Sequence, residues 1–303
     1  MLMNNFSFLL VALIYLLCSN ITTVQGSTVY KYKDENGNWV FSDKPPEQEV
    51  ETQELTFKHQ VNIDIKPSVY VAKNQSYYAI VVKNPFHAPI EIELLGDSIP
   101  NNERHHVVKA QATTVVVPKL THHPAFSYRW LQGDPKAKHD DSLYKFPSSS
   151  GREFLITQSF NGRFSHSKQP NQYAVDIAMP VGTSINAARA GIVVGVKDDY
   201  HMSGKSQYFL DKANYVQVLH NDGTFAVYAH LLQDTAVVNV GDRVSVGDKL
   251  GRSGSSGYST GPHLHFVIRK NAGFKFTSVP FAFLGQDEQA VTPKRGMVFG
   301  KQG

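Results

Sequence analysis

The chain has 303 residues, a formal net charge of +4, 13 histidines and a single cysteine. That length accommodates two or three domains, and the mildly basic balance reads as a solvated surface rather than a nucleic-acid footprint. With Cys18 as its one thiol, the chain has no disulfide framework, and any bound metal must take its ligands from His, Asp, Glu or water. In chain order, residues 6–17 form an apolar run, followed by a polar stretch ending at Val24, Gln25 and Gly26. This is the pattern of a secretory signal peptide over residues 1–26, cleaved after Gly26. The run is shorter than the roughly 20 residues of a membrane span, so no transmembrane span is expected in the mature chain. Tyr15, Leu16 and Leu17 lack the small residue expected just before a lipidated cysteine at Cys18. The expected location is exported and periplasmic, with secretion or a retained signal anchor as alternatives.

Residues 27–55 read as a small hairpin domain. Two β-rich runs, Val29 to Lys33 and Trp39 to Phe41, flank Asn36-Gly37, a strong tight-turn signal. The pattern Tyr-x-Tyr-x-Asp-x-x-Gly-x-Trp-x-Phe-Ser-Asp-x-Pro-Pro resembles a small domain of unknown function found at the front of exported bacterial proteins. That likeness carries no chemistry. Residues 56–131 contain short β-rich runs separated by polar turns, the spacing of a small antiparallel sandwich. Within it, His105-His106 and His122-His123 are expected to be solvated, because adjacent strand residues face opposite ways. Residues 132–150, rich in Lys, Asp, Pro and Ser, read as a linker.

Residues 151–284 are again β-rich, with Gly-centred turns and almost no helical periodicity, so the fold class is mainly β. Strands are expected over residues 185–196, 215–219, 224–230, 236–240 and 262–268. Residues 285–303 read as a surface tail. His263 and His265 are two apart on an expected strand and share a face, while Leu264 faces away. Six ordered blocks surround them: 175–183, 188–193, 214–216, 220–224, 228–231 and 254–266. Together these blocks resemble the lysostaphin/LytM-type zinc peptidases, the duplicated-hybrid-motif family. The likeness implies an antiparallel β-sheet peptidase domain, one Zn²⁺ per chain and no organic cofactor.

Carried over residue by residue, the resemblance makes Asp176 and His265 metal ligands, and places His230 and His263 as catalytic residues beside the water. The commonest family pattern has a histidine four residues before the aspartate, where this chain has Gln172, a poor zinc ligand beside imidazole. The expected replacement is His166, reached by an extended turn through residues 167–173. Tyr228, Asn214 and Arg163 are candidate substrate contacts, with core packing or local hydrogen bonding as their alternative. The loops 197–212 and 253–258 are expected to wall the cleft.

The resemblance implies a zinc endopeptidase that cleaves peptide cross-links or stem peptides of bacterial peptidoglycan with a metal-activated water. The rival expectation is a non-catalytic envelope regulator that binds or activates a cell-wall amidase. A secreted bacteriolytic factor shares the first chemistry and differs in destination. An envelope regulatory protein is the one further partner expected.

Overall fold

The computed structural model describes residues 27–33, 39–42, 45–46, 49–57 and 65–300. The expected signal segment and the Asn36-Gly37 turn lie outside the described residues. Residues 1–61 and 62–303 form two separate compact units. In the first, β1 (Ser27–Lys33), β2 (Trp39–Ser42) and β3 (Gln53–Phe57) form one antiparallel sheet, in the order β2-β1-β3. Lys33 lies opposite Trp39, and Lys31 lies opposite Gln53. The third strand runs through the expected boundary between residues 55 and 56, because β1 leaves an open edge that residues 53–57 pair with.

The second unit opens with β4 (Ser68–Lys73), β5 (Tyr78–Lys83), β6 (Ile90–Leu95), β7 (His105–Val108), β8 (Thr113–Leu120) and β9 (Ser127–Gln132). They make two three-stranded antiparallel sheets, β4-β5-β8 and β7-β6-β9. Alternate residues Ile80 and Val82, and Ile90, Ile92 and Leu94, bury against one another between the sheets. Glu91, on the opposite face of β6, is also fully buried. Its Oε1 lies 2.8 Å from His105 Nε2, so His105 is not the purely solvated residue expected.

The remaining strands are β10 (Phe154–Gln158), β11 (Ala174–Ala178), β12 (Ser184–Asn186), β13 (Gly191–Lys197), β14 (Ser203–Gly204), β15 (Tyr215–Leu219), β16 (Phe225–Ala229) and β17 (Arg243–Val244). After them come β18 (Lys249–Arg252), β19 (Gly257–Tyr258), β20 (His263–Asn271), β21 (Phe276–Ser278), β22 (Phe283–Leu284), β23 (Ala290–Val291) and β24 (Val298–Phe299). The large sheet runs β17-β13-β15-β16-β20-β11-β10-β24, with β21 beside the far end of β20. One face buries Val175, Ile177, Tyr228, Leu264, Phe266 and Ile268 in a continuous core. The other face carries Asp176, Ala229, His263 and His265 toward an open cleft. Among the described residues, no helix is long and apolar enough to cross a membrane.

The structure departs from the sequence expectations in three segments. Residues 132–150 are not a free linker: Tyr144 and Phe146 are buried in the main core, and Tyr144 N–H donates to Ala282 O at 3.0 Å. Residues 285–303 are not merely a surface tail. Val298 and Phe299 add an edge strand to β10, and Phe299 stacks on Phe146 at 5.5 Å. In both segments a polar composition surrounds a few aromatic residues whose burial outweighs their neighbours' solvation. Residues 236–240 form no strand, and Val237 N–H instead donates to Leu250 O at 3.0 Å.

Candidate metal centre and cleft

Strand register assembles the site. Asp176 on β11 lies directly opposite His265 on β20, and Ala178 lies opposite His263. Across the other edge of β20, His265 faces Ala229, the last residue of β16, so His230 emerges beside the same pair. His230 has φ of 64°, in the left-handed region that bulky residues avoid. That turn ends β16, and His230 O accepts the Gly254 N–H at 3.0 Å. Gly254 is needed at this approach, since a Cβ there would sit 2.6 Å from Leu232 N. Gly254 O in turn accepts the His263 N–H at 3.3 Å, tying the two histidine segments together.

His166 arrives from a separate loop. Its backbone N–H donates to Gly162 O at 3.0 Å, and its ring Nδ1 lies 3.2 Å from Ser159 O. This leaves Nε2 fully buried, without a hydrogen-bond partner and 3.2 Å from Asp176 Oδ1. His265 Nδ1 approaches the same carboxylate oxygen at 2.9 Å. One ligand atom from each of His166, Asp176 and His265 lies within 4.8 Å of the other two. Two imidazoles and a carboxylate, all buried, with one imidazole nitrogen unpartnered, fit a borderline divalent cation. Gln172, by contrast, hydrogen-bonds Asn161 Oδ1 at 2.9 Å and belongs to the loop.

Burial acts against the charged form of Asp176. The imidazoles of His166 and His265, at 3.2 and 2.9 Å from Oδ1, overcome it and hold the carboxyl well below the usual range. For His265 burial prevails over the carboxylate and lowers the pKa. His230 is pushed down to about 3 by burial first and then by His263 and His265, so its ring is neutral at pH 7. Its Nδ1 lies 2.7 Å from Ser256 O, and His263 Nδ1 lies 2.8 Å from Gly261 O. A carbonyl accepts only, so in both rings Nδ1 carries a proton, and in the neutral His230 ring Nε2 keeps the lone pair. The two rings are 4.5 Å apart, and His263 Nε2 is 3.8 Å from Asp176 Oδ1.

The sequence offered no signal for Gln158. Its Nε2 donates to Asp176 Oδ2 and to Ser165 Oγ, both at 2.8 Å, while its Oε1 accepts the Phe164 N–H at 3.1 Å. One amide thus orients the aspartate and pins the loop that delivers His166, as partners behind a metal ligand do. It shows itself only once β10 and β11 are paired.

The substrate-contact expectations divide. Tyr228 is fully buried on the core face, where its hydroxyl accepts the Ala188 N–H at 2.8 Å. Asn214 is also fully buried, and its side chain bonds Tyr200 N and O and Leu231 O. Neither side chain is available to a ligand in the cleft: Tyr228 sits on the opposite sheet face from Ala229, and the Asn214 amide is consumed by two loops. Arg163 is exposed and lines the cleft. The cleft, of about 1440 Å³, is walled by residues 157–165, Leu210, Asp211 and Tyr258, and also by residues 292–295 of the supposed tail. Phe164 stacks on Tyr258 at 6.1 Å at its rim.

Residues 170–275 match the profile of Peptidase family M23, and residues 16–64 match that of a domain of unknown function (DUF4124). Both resemblances read from the sequence motifs are thereby borne out. The chain is 34% identical over 127 residues to an uncharacterized metalloprotease of Buchnera aphidicola, a match covering 41% of this chain and 30% of that one. It is 26% identical over 190 residues to the peptidoglycan DD-endopeptidase ShyA of Vibrio cholerae, covering 60% and 39%. It is 37% identical over 128 residues to lysostaphin of Staphylococcus staphylolyticus, covering 40% and 24%. The chain therefore spans well under half the length of these relatives.

Proposed function

From a chain that carries a peptidase family M23 domain over residues 170–275, we propose a zinc-dependent endopeptidase acting on peptide cross-links or stem peptides of bacterial peptidoglycan after export. The observation that carries this reading is the convergence of buried His166, Asp176 and His265 within 4.8 Å, beside the rings of His230 and His263, 4.5 Å apart. His166 Nε2, Asp176 Oδ1 and His265 Nδ1 would hold the ion. When bound, zinc supplies Lewis acidity toward a carbonyl and lowers the pKa of a coordinated water to about 7.

The chain's own residues supply the rest. Nε2 of His230 and Nε2 of His263 are the two ring nitrogens positioned to exchange a proton with a water in the cleft, and each ring is locked by its Nδ1–H bond to a backbone carbonyl. Once protonated, the same nitrogens donate toward the charge that develops on the scissile carbonyl oxygen or return the proton to the leaving amine. Gln158 and the Ser159 carbonyl hold Asp176 and His166 in place, so little reorganisation is needed when substrate enters. The β-sheet floor of the cleft accommodates an extended peptide.

The test is zinc content per chain, measured with hydrolysis of purified peptidoglycan, for the wild type and for His166→Ala. The expected result is one zinc per wild-type chain, lost in the variant together with hydrolysis. A wild type that takes up no zinc when it is supplied would overturn the enzyme reading and leave the envelope regulator in its place. Gln172 at the usual ligand position is the observation that keeps that second reading in view.

A further inference from the structure

On β20, residues two apart share the cleft face, so His263, His265, Val267 and Arg269 form one row. Arg269 lies four residues beyond His265, on the order of 13 Å further along the floor. It lines the cleft, and only part of it is solvent-exposed. Its Nε donates to Pro170 O at 3.1 Å and its Nη2 to Asn171 Oδ1. A guanidinium has five N–H donors, so three are left with no acceptor among the described residues. No carboxylate lies within ion-pair distance of it there, and burial alone pushes its pKa down to about 10. A mostly buried cation without a counter-charge is a costly arrangement.

The cleft around it has the same imbalance. Arg163, Lys294 and Arg295 also line it, exposed and without an ion pair among the described residues. The acidic residues in the lining are Asp176, at the metal centre, and Asp211, which is paired with Lys212 at 3.1 Å.

We propose that Arg269 is a specificity-determining residue that binds a free carboxylate of the peptide substrate, about three to four extended residues from the bond presented to the metal centre. The proposal rests on the reading of the cleft as a peptidase site, and it assigns the substrate an acidic group that a neutral peptide lacks. The planar guanidinium, already oriented by Pro170 and Asn171, presents its remaining N–H groups to such an anion at little entropic cost.

The test uses the full chain and two forms of one synthetic stem peptide, with its carboxylates free or converted to carboxamides. Binding is read by calorimetry, with hydrolysis, zinc content and melting temperature read separately, for the wild type and Arg269→Gln. The expected result is at least tenfold tighter binding of the acid by the wild type, and a ratio near one in the variant, with zinc content and melting temperature unchanged. Failure of either peptide to bind, or an acid-to-amide ratio unaltered by the substitution, would overturn the proposal. Collapse of the ratio only together with zinc loss would also overturn it and reduce Arg269 to an anchor for the 167–173 loop. Discrimination without hydrolysis would keep the carboxylate subsite and sink the peptidase reading, whereas hydrolysis without discrimination would do the reverse.

Discussion

At the scale of single residues, the histidines of this chain owe their different roles to what their second nitrogen meets. His230 and His263 each have a carbonyl on Nδ1 and an open Nε2, while His166 keeps an unpartnered Nε2 against a carboxylate. His220 has neither an open cleft nor a carboxylate partner. Its Nδ1 lies 2.8 Å from Ala190 O and its Nε2 is buried without a partner beside Tyr144. Burial pushes its pKa down to about 4, partly opposed by the Ala190 bond and helped by the nearby Arg189 charge. The unfolded chain, with a histidine pKa near 6.5, therefore binds the proton first as pH falls. His220 contributes stability that is whole above about pH 6.5 and is lost as pH falls toward 4. Urea unfolding at pH 7 and pH 4.5 should show roughly 2–3 kcal/mol more acid destabilisation for the wild type than for His220→Gln. Equal losses would show that the site does not keep His220 neutral.

At the scale of elements, the site depends on backbone approaches that only small residues permit. Gly257 on β19 has φ of +80°, and a Cβ there would lie 2.5 Å from Ala213 N. The neighbouring Ser256 accepts the Asn214 N–H at 3.0 Å through its hydroxyl and offers its carbonyl to His230. Gly257→Ala is expected to cost about 2–4 kcal/mol, combining left-handed strain with a backbone clash. It should also lower hydrolysis more than zinc content, because Ser256 holds His230 and not the three ligand atoms. Thermal unfolding and zinc assay on the same preparation check both parts. The motif around residues 254–266 made this segment recognisable in the sequence. Gln158 was not recognisable, since an isolated glutamine on a strand edge carries no pattern. Tyr228 and Asn214 follow their alternatives, core packing and local hydrogen bonding, for a related reason: a polar group near a motif is compatible with either role until packing shows which face it occupies.

At the scale of the whole molecule, residues 62–303 form one compact unit, and the sandwich grips the large sheet through a buried acid. Glu91 Oε2 on β6 accepts both the Asn271 Nδ2 amide and the Phe274 N–H at 2.8 Å, at the turn between β20 and β21. Arg129 lies over the Phe274 ring at 4.2 Å. Glu91→Ala removes the acceptor shared by Asn271 and Phe274 and the partner of His105, and is expected to destabilise the unit by about 2–5 kcal/mol. Chemical denaturation measures this, and a change below about 0.5 kcal/mol would mean that the sandwich is dispensable to the sheet.

The sequence by itself determined the β class, the front hairpin, the peptidase motifs and the identity of the residues that meet at the centre. These properties follow from local periodicity, turn chemistry and ordered blocks, which survive without knowledge of the fold. Only the tertiary structure decided that residues 292–295 wall the cleft, that Tyr144 and Phe146 lie in the core, that Gln158 stands behind Asp176, and that Arg269 faces the cleft without an anion. Each of these is a contact between segments far apart in the chain. Such contacts are set by strand register and by which face is buried, and neither leaves a local trace in the order of residues.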